Sequence, residues 1–253
     1  MLEPETPEQI LARHSRVGFQ FSGGKDSVAA LMLLRPHWNK FTVYFCDSGD
    51  SMEETLAVVR QVAALVPHFE VIQGRVRGTR AEFGMPTDLI PWTSAPAAHI
   101  HNAGSTPLMQ DRVACCARSI MVPLHARMVQ DGITLIIRGQ KDSDTHKGRF
   151  RSGDVVDGFE FFYPVQNWTD AQCLDYMRAN GIEPQRFYTE GNGSIDCATC
   201  TAWCEDGRAD YLARYHPMKF AEYRTNMQII AAAIVPALNK FENELEACHG
   251  YEI

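Results

Sequence analysis

No run in this chain comes near the ~20 consecutive apolar residues that a membrane-spanning helix requires. The opening, MLEPETPEQILARHSR, is acidic and amphipathic, unlike the basic and apolar start of a secretory leader. The cytoplasm is therefore the expected compartment, with no membrane partner. Positive charge is also scarce: 24 Lys and Arg stand against 31 acidic residues, a formal net charge of -7. That balance argues against holding nucleic acid by bulk electrostatics, because neutralising phosphates takes a basic face. Internal repeats are missing, and so is the GxxxxGK[ST] loop of γ-phosphate-hydrolysing ATPases. What remains is a 253-residue chain, 45% hydrophobic and 22% charged, long enough to bury a full core and too apolar to be disordered.

Short apolar runs alternate with helical stretches. VGFQF at 17–21 precedes SGGKDS and the helical VAALMLL, and FTVYFC at 41–46 precedes a turn at 47–50 and a helix over 52–66. FEVIQ from Phe69, ITLIIRG from Ile133 and FEFFYP from Phe159 are the further strands. This pace of alternation predicts an α/β fold, a Rossmann-like parallel sheet with helices on both faces. Residues 75–110, rich in Gly, Pro, Thr and His, suggest no regular element. A helix over 111–130 should kink or break at Pro123. Another follows Thr169 as N-cap and ends before Gly181. From residue 195 the chain turns helical and cysteine-bearing. The expected division is 1–194, nucleotide-binding, and 195–253, packed upon it.

A glycine pair directly after a buried strand lets backbone approach phosphate oxygens, and the following helix N-terminus offers free N–H groups and a positive dipole end. Ser22, Gly23, Gly24, Lys25, Asp26 and Ser27 form this candidate cradle. Residues 138–151 concentrate Arg138, Lys141, Lys147, Arg149 and Arg151, either as a solvated loop or as an anion-facing one.

Eight cysteines without an export signal point to thiols, metal ligands or catalysts. Adjacent Cys115 and Cys116 and the CxxC of Cys197 and Cys200 make two close pairs, suited to a 4Fe-4S cluster, to zinc, or to plain buried thiols. Cys204 is a spare ligand or sulfur carrier, Cys46 and Cys173 sit in core contexts, and Cys248 beside His249 is either a tail nucleophile or an idle thiol. His99 and His101 alternate in the irregular segment and suit substrate or solvent contact.

SGGKDS resembles the pyrophosphate loop of the ATP pyrophosphatase superfamily. The resemblance implies that Ser22, Lys25 and Ser27 hold pyrophosphate, that Asp26 helps place Mg2+, and that Asp47 faces the same site. CCAR, IMVPL, SIDCATC and FYPVQNWTDAQCLDYMRANGI are similar to motifs of the phosphoadenylyl-sulfate reductase family, and Arg138 begins a stretch resembling its arginine-bearing loop. This implies Cys115, Cys116, Cys197 and Cys200 as ligands of a 4Fe-4S cluster. Two departures stand out: those reductases carry a degenerate phosphate loop, and their C-terminal nucleophile lies in an ECGxH-like tail, where this chain has EACHGYEI. The motif combination resembles the ATP pyrophosphatase of DNA phosphorothioate modification. On that resemblance the expected function is adenylation of a substrate oxygen by ATP followed by cluster-assisted sulfur transfer. A cysteine desulfurase would donate sulfur, and partner proteins would bring the DNA or RNA acceptor. The alternatives are an adenylyl-sulfate or phosphoadenylyl-sulfate reductase forming sulfite, and a nucleotide-sensing subunit of a sulfur-transfer complex.

Overall fold

A computed structural model describes residues 5–87, 90, 94, 107–144, 150–190, 193, 195–202 and 207–249, the last two by backbone alone. Its elements run α1 (Pro7–Ala12), β1 (Val17–Phe21), α2 (Lys25–Leu33), β2 (Thr42–Asp47), α3 (Glu53–Ala63), β3 (Phe69–Gln73), α4 (Val76–Phe83), β4 (Met85–Pro86), β5 (Met109–Gln110), α5 (Arg112–Cys116), α6 (Val122–Gln130), β6 (Leu135–Ile137), β7 (Val155–Val156), β8 (Phe159–Phe162), α7 (Asp170–Ala179), α8 (Phe187–Glu190), α9 (Arg208–Tyr215) and α10 (Pro217–His249). A 3-10 helix covers Arg35–Lys40, and a π turn covers Ala117–Met121.

The main sheet has the order β3-β2-β1-β6-β8-β7. It is parallel except at its edge, where β7 pairs antiparallel with β8. The expected α/β sheet flanked by helices is present, with that one antiparallel strand added. Alternation along each strand sends side chains to two separate cores. Phe19, Phe21, Val43, Phe45, Leu135 and Ile137 join α2, α3 and α7 on one face. Tyr44, Ile136 and Phe159 meet Met128 and Leu124 of α6 on the other. Gly18 makes the second face possible, because a Cβ there would lie 2.3 Å from Met128 Cε.

The segment 75–110 is more regular than its composition suggests. Helix α4 and the small parallel pair β4–β5 occupy its described ends. Val76, Thr79 and Arg80 are buried at helical spacing, a stripe disguised in the sequence by Gly78 and by the burial of an arginine. Gly84 closes α4 at φ 89°, and a Cβ there would sit 1.8 Å from the Leu108 carbonyl oxygen. The predicted helix over 111–130 is three pieces: α5, the π turn and α6. Pro123 sits in the first turn of α6, where its missing N–H costs least. Among the described residues no helix is long and apolar enough to cross a membrane.

Helix α7 begins as its sequence predicts, at a capping box. Thr169 Oγ1 accepts from the Gln172 N–H at 3.3 Å, and Gln172 Oε1 accepts from the Thr169 N–H at 2.8 Å. Gly181 follows its end at φ 74°. This cap aims Asp170 at the end of the sheet where β1 delivers its loop. Thr169→Ala removes the cap and is expected to lower unfolding free energy by about 1 kcal/mol in urea titration.

Candidate functional site

The loop after β1 turns through Gly23 at φ 80° and enters α2 at Lys25. Its polar groups are largely turned inward. Ser22 Oγ accepts from the Gly24 N–H at 3.3 Å and lies 3.1 Å from Ser27 Oγ, which donates to the Gly24 carbonyl at 2.9 Å. The Lys25 N–H donates to the Tyr188 hydroxyl at 3.2 Å, and Gln185 Nε2 donates to the Gly23 carbonyl at 2.7 Å. Tyr188 also lies under the Lys25 ammonium, 5.4 Å from ring centre to Nζ.

A second loop, from the end of β6, passes directly over the first turn of α2. Gly139 permits it, since a Cβ there would meet the Asp26 carbonyl carbon and the Ser27 nitrogen at 2.5 Å. The crossing delivers Lys141, whose side chain is fully buried, to three carboxylates: Asp144 at 2.6 Å, Asp26 at 2.7 Å and Asp170 at 3.2 Å. Lys25 reaches Asp26 and Asp170, both at 3.1 Å. Burial works against both ammoniums, but the carboxylates outweigh it, so both lysines stay protonated well above neutral pH. Asp170 is held low, its partial burial overcome by Lys25 and Lys141. Two cations against three anions leave the site with no unmatched positive charge among these groups. Asp26, Asp144 and Asp170 are also the one trio of potential metal ligands within 4.8 Å of one another among the described residues, with the lysines filling the space between them.

The other predicted positions are scattered in role. Asp47 Oδ1 accepts from the Gly49 N–H at 2.9 Å and from Ser51 Oγ at 3.3 Å, holding its own turn. Arg138 is half-buried beside Tyr163, whose phenol is pushed up by burial, an effect that Arg138 opposes without reversing. Arg151 reaches Asp142 at 3.5 Å from an exposed position. Lys147, Arg149, His99, His101 and Cys204 lie outside the described residues, as does the side chain of Cys248.

The two cysteine pairs converge. Cys115 and Cys116 end α5, and Cys197 and Cys200 lie on a loop that forms a bridge from Cys197 to Ser51. Arg208 fixes that loop, donating to the Cys197 carbonyl at 3.0 Å and the Cys200 carbonyl at 3.3 Å. Burial first, then Cys200 and Cys115, push the Cys116 thiol up to about 12. Cys197 is driven higher by burial, Cys200 and Asp196. All six described cysteines are free thiols. No three of the four sulfurs fall within 4.8 Å of one another among the described residues, so the set does not close around a single ion. Zinc would need four sulfurs about 3.8 Å apart around one ion at its ~2.3 Å bond length. Cys46 and Cys173 are buried, and Cys173 neighbours Asp26.

Beneath the cysteine loop lies a group that the sequence does not advertise. Asp50, fully buried, accepts from Thr199 Oγ1 at 2.7 Å and from Lys219 Nζ at 2.8 Å, and pairs with Arg80 at 3.2 Å. Its carbonyl accepts from the Ala198 N–H at 2.9 Å. Asp144, Asp170, Tyr188, Gln185, Asp50 and Arg80 are thus the residues that pattern reading passed over as site members, while Lys141, singled out in the basic stretch 138–151, is placed at the loop. Their meeting depends on contacts across up to 169 positions, which no local spacing reports.

A glycine-rich loop and four converging thiols on an open, mostly parallel sheet belong to the class of α/β proteins that bind ligands beyond the carboxyl ends of their strands. Residues 16–203 match the phosphoadenosine phosphosulfate reductase domain, and the chain belongs to that family. It is 22% identical, over 204 residues, to adenosine 5'-phosphosulfate reductase of Allochromatium vinosum, covering 78% of this chain and 72% of that protein. The phosphoadenylyl-sulfate reductase of Candida auris, solved with phosphate, shares the fold with a TM-score of 0.53 at 16% identity, over 80% of this chain and 91% of that one. These matches overturn the expected ATP pyrophosphatase of DNA phosphorothioate modification. In the SGGKDS loop Lys25 is paired with Asp26 and Asp170, and the serine hydroxyls are engaged with each other and with the Gly24 carbonyl.

Lys141→Met removes a fully buried ammonium, leaves Lys25 as the remaining lysine for three carboxylates, and should cost about 3 kcal/mol of stability in urea unfolding. Asp50 supplies a pH test. Burial raises its pKa, but Lys219, Thr199 and Arg80 together bring it below the ordinary carboxylate value. Its stabilisation is therefore complete above the unfolded value of about 4 and is lost as pH falls through the lower folded value. Asp50→Asn should flatten the acid limb of a stability-versus-pH curve.

Proposed function

We propose that the chain reduces an adenylylated sulfate to sulfite and the adenine nucleotide. The observation that carries this reading is that one family match, over residues 16–203, spans the nucleotide loop and both cysteine pairs. The neutralised loop lysine supports it, since a substrate that has already lost pyrophosphate needs no dedicated pyrophosphate grip. Asp170, 65% exposed, is the member of the lysine network best placed to yield to an incoming anion. Lys25 would then exchange one carboxylate for an oxygen of the substrate phosphate or sulfate.

The nucleophile assigned here is Cys248, near the end of α10 and outside the family match. Its thiolate attacks the sulfonate sulfur. An S–S bond forms, the S–O bond to the nucleotide phosphate breaks, and the electron pair leaves on the phosphate oxygen of AMP or its 3′-phosphorylated form. A dithiol reductant of the thioredoxin type then attacks Cys248 Sγ, releasing sulfite and restoring the thiolate through a mixed disulfide that its second thiol resolves. Sulfur falls from the +6 to the +4 state as the dithiol becomes a disulfide. Cys115, Cys116, Cys197 and Cys200 are assigned as holders of an iron–sulfur cluster, which would supply a fixed, tunable charge beside the anionic substrate.

The test is sulfite release from adenylyl sulfate, and separately from its 3′-phosphorylated form, by anaerobically purified protein with thioredoxin and a reductant. Cys248→Ser should abolish release. Lys25→Ala should lower kcat/KM by about 100-fold, as expected for loss of a charged contact to the reacting anion. No sulfite from either substrate would refute the reading.

A further inference from the structure

Helix α4 contributes no residue to the reaction above, yet it buries an arginine between the two cysteine pairs. The Arg80 side chain is 8% exposed. One terminal nitrogen donates to Thr199 Oγ1 at 2.8 Å, and Thr199 stands between Cys197 and Cys200. The same nitrogen pairs with Asp50 at 3.2 Å. Thr199 Oγ1 passes its own proton toward Asp50 at 2.7 Å, so arginine, threonine and carboxylate form a closed triangle beneath the CxxC loop. Lys219 occupies the other Asp50 oxygen. With that lysine matched to Asp50, the charge of Arg80 is left over within the buried group.

The rest of the guanidinium is not fully committed. Arg80 Nε is buried and has no hydrogen-bond partner among the described residues. Native proteins seldom bury a donor without an acceptor, and such an atom commonly marks a missing bound group. An anionic group bound by four sulfurs would supply both an acceptor and a counter-charge.

We propose that Arg80 is the positioning residue of the four-cysteine site. Clamped by Asp50 and Thr199, it holds the loop of Cys197 and Cys200 in place beside Cys115 and Cys116. It offers a positive charge and its free N–H to the sulfur-ligated group bound there. The inference rests on the assignment of those cysteines to an iron–sulfur cluster. Reduction adds negative charge to such a cluster, and both a nearby cation and hydrogen bonds to its sulfurs favour the reduced form.

Wild type, Arg80→Gln and Arg80→Lys would be purified anaerobically as full chains and compared without substrate. Three quantities are read: iron and acid-labile sulfide content, the rate of iron release to a chelator, and the midpoint potential. Arg80→Gln should release iron about tenfold faster, in line with losses when an outer-shell partner is removed, and titrate at a more negative potential. Arg80→Lys keeps the ion pair with Asp50, and so the fold, but lacks Nε. Its potential should fall between the other two. A loaded Arg80→Lys protein with wild-type potential and wild-type iron release overturns the proposal while leaving the cluster assignment standing. Wild-type protein without iron and sulfide overturns both.

Discussion

A carboxylate with no exposure to water can persist only if its surroundings replace every hydrogen bond that water gave it. Asp50 meets that demand with groups from three directions: Thr199 from the cysteine loop, Arg80 from α4 and Lys219 from α10. None of these elements is a strand of the main sheet, and the turn after β2 carries the acid that gathers them. The position of the CxxC loop relative to Cys115 and Cys116 is therefore an electrostatic arrangement more than a hydrophobic one. The apolar cluster of Met52, Phe187, Ile195, Ala198 and Tyr211 packs around it but has no directionality of its own.

The nucleotide end of the sheet is built on the same principle with the charge ratio reversed. At Asp50 one carboxylate draws in two cations, while at the loop two lysines are shared among three carboxylates. The glycine of the β6 loop sets the second arrangement, because only a residue without Cβ lets that backbone lie on α2. The two networks divide the labour: one fixes the loop of Cys197 and Cys200, the other sets the charge at the start of α2.

Much of the scaffold is legible in the amino-acid sequence. The parallel strands of the main sheet announce themselves by short apolar runs, as at Phe69–Gln73, and the Thr169 cap by its hydroxyl three residues before Gln172. The loop motif and the cysteine spacings mark the regions that matter. The charge state of the loop is not legible. SGGKDS spells a free phosphate grip, but Lys25 is paired with Asp26 of the motif itself and with Asp170 from the first turn of α7. Helix α4 stays hidden because its buried stripe contains an arginine, which periodicity counts as polar. The antiparallel β7 is two residues long and offers no pattern to detect.

The π turn at Ala117–Met121 follows Cys116 directly and leads into Pro123 and α6. A π turn holds one residue more than the α-helical turn it replaces, and so rotates everything before it relative to everything after it. Leu124 and Met128 can thereby stay seated on the sheet while the adjacent cysteines face a different neighbour. Phase within a helix is then an adjustable quantity. Deleting a single residue between 117 and 121 would leave the composition of the segment nearly untouched and yet swing the cysteine pair by about 100°, the angle of one helical step.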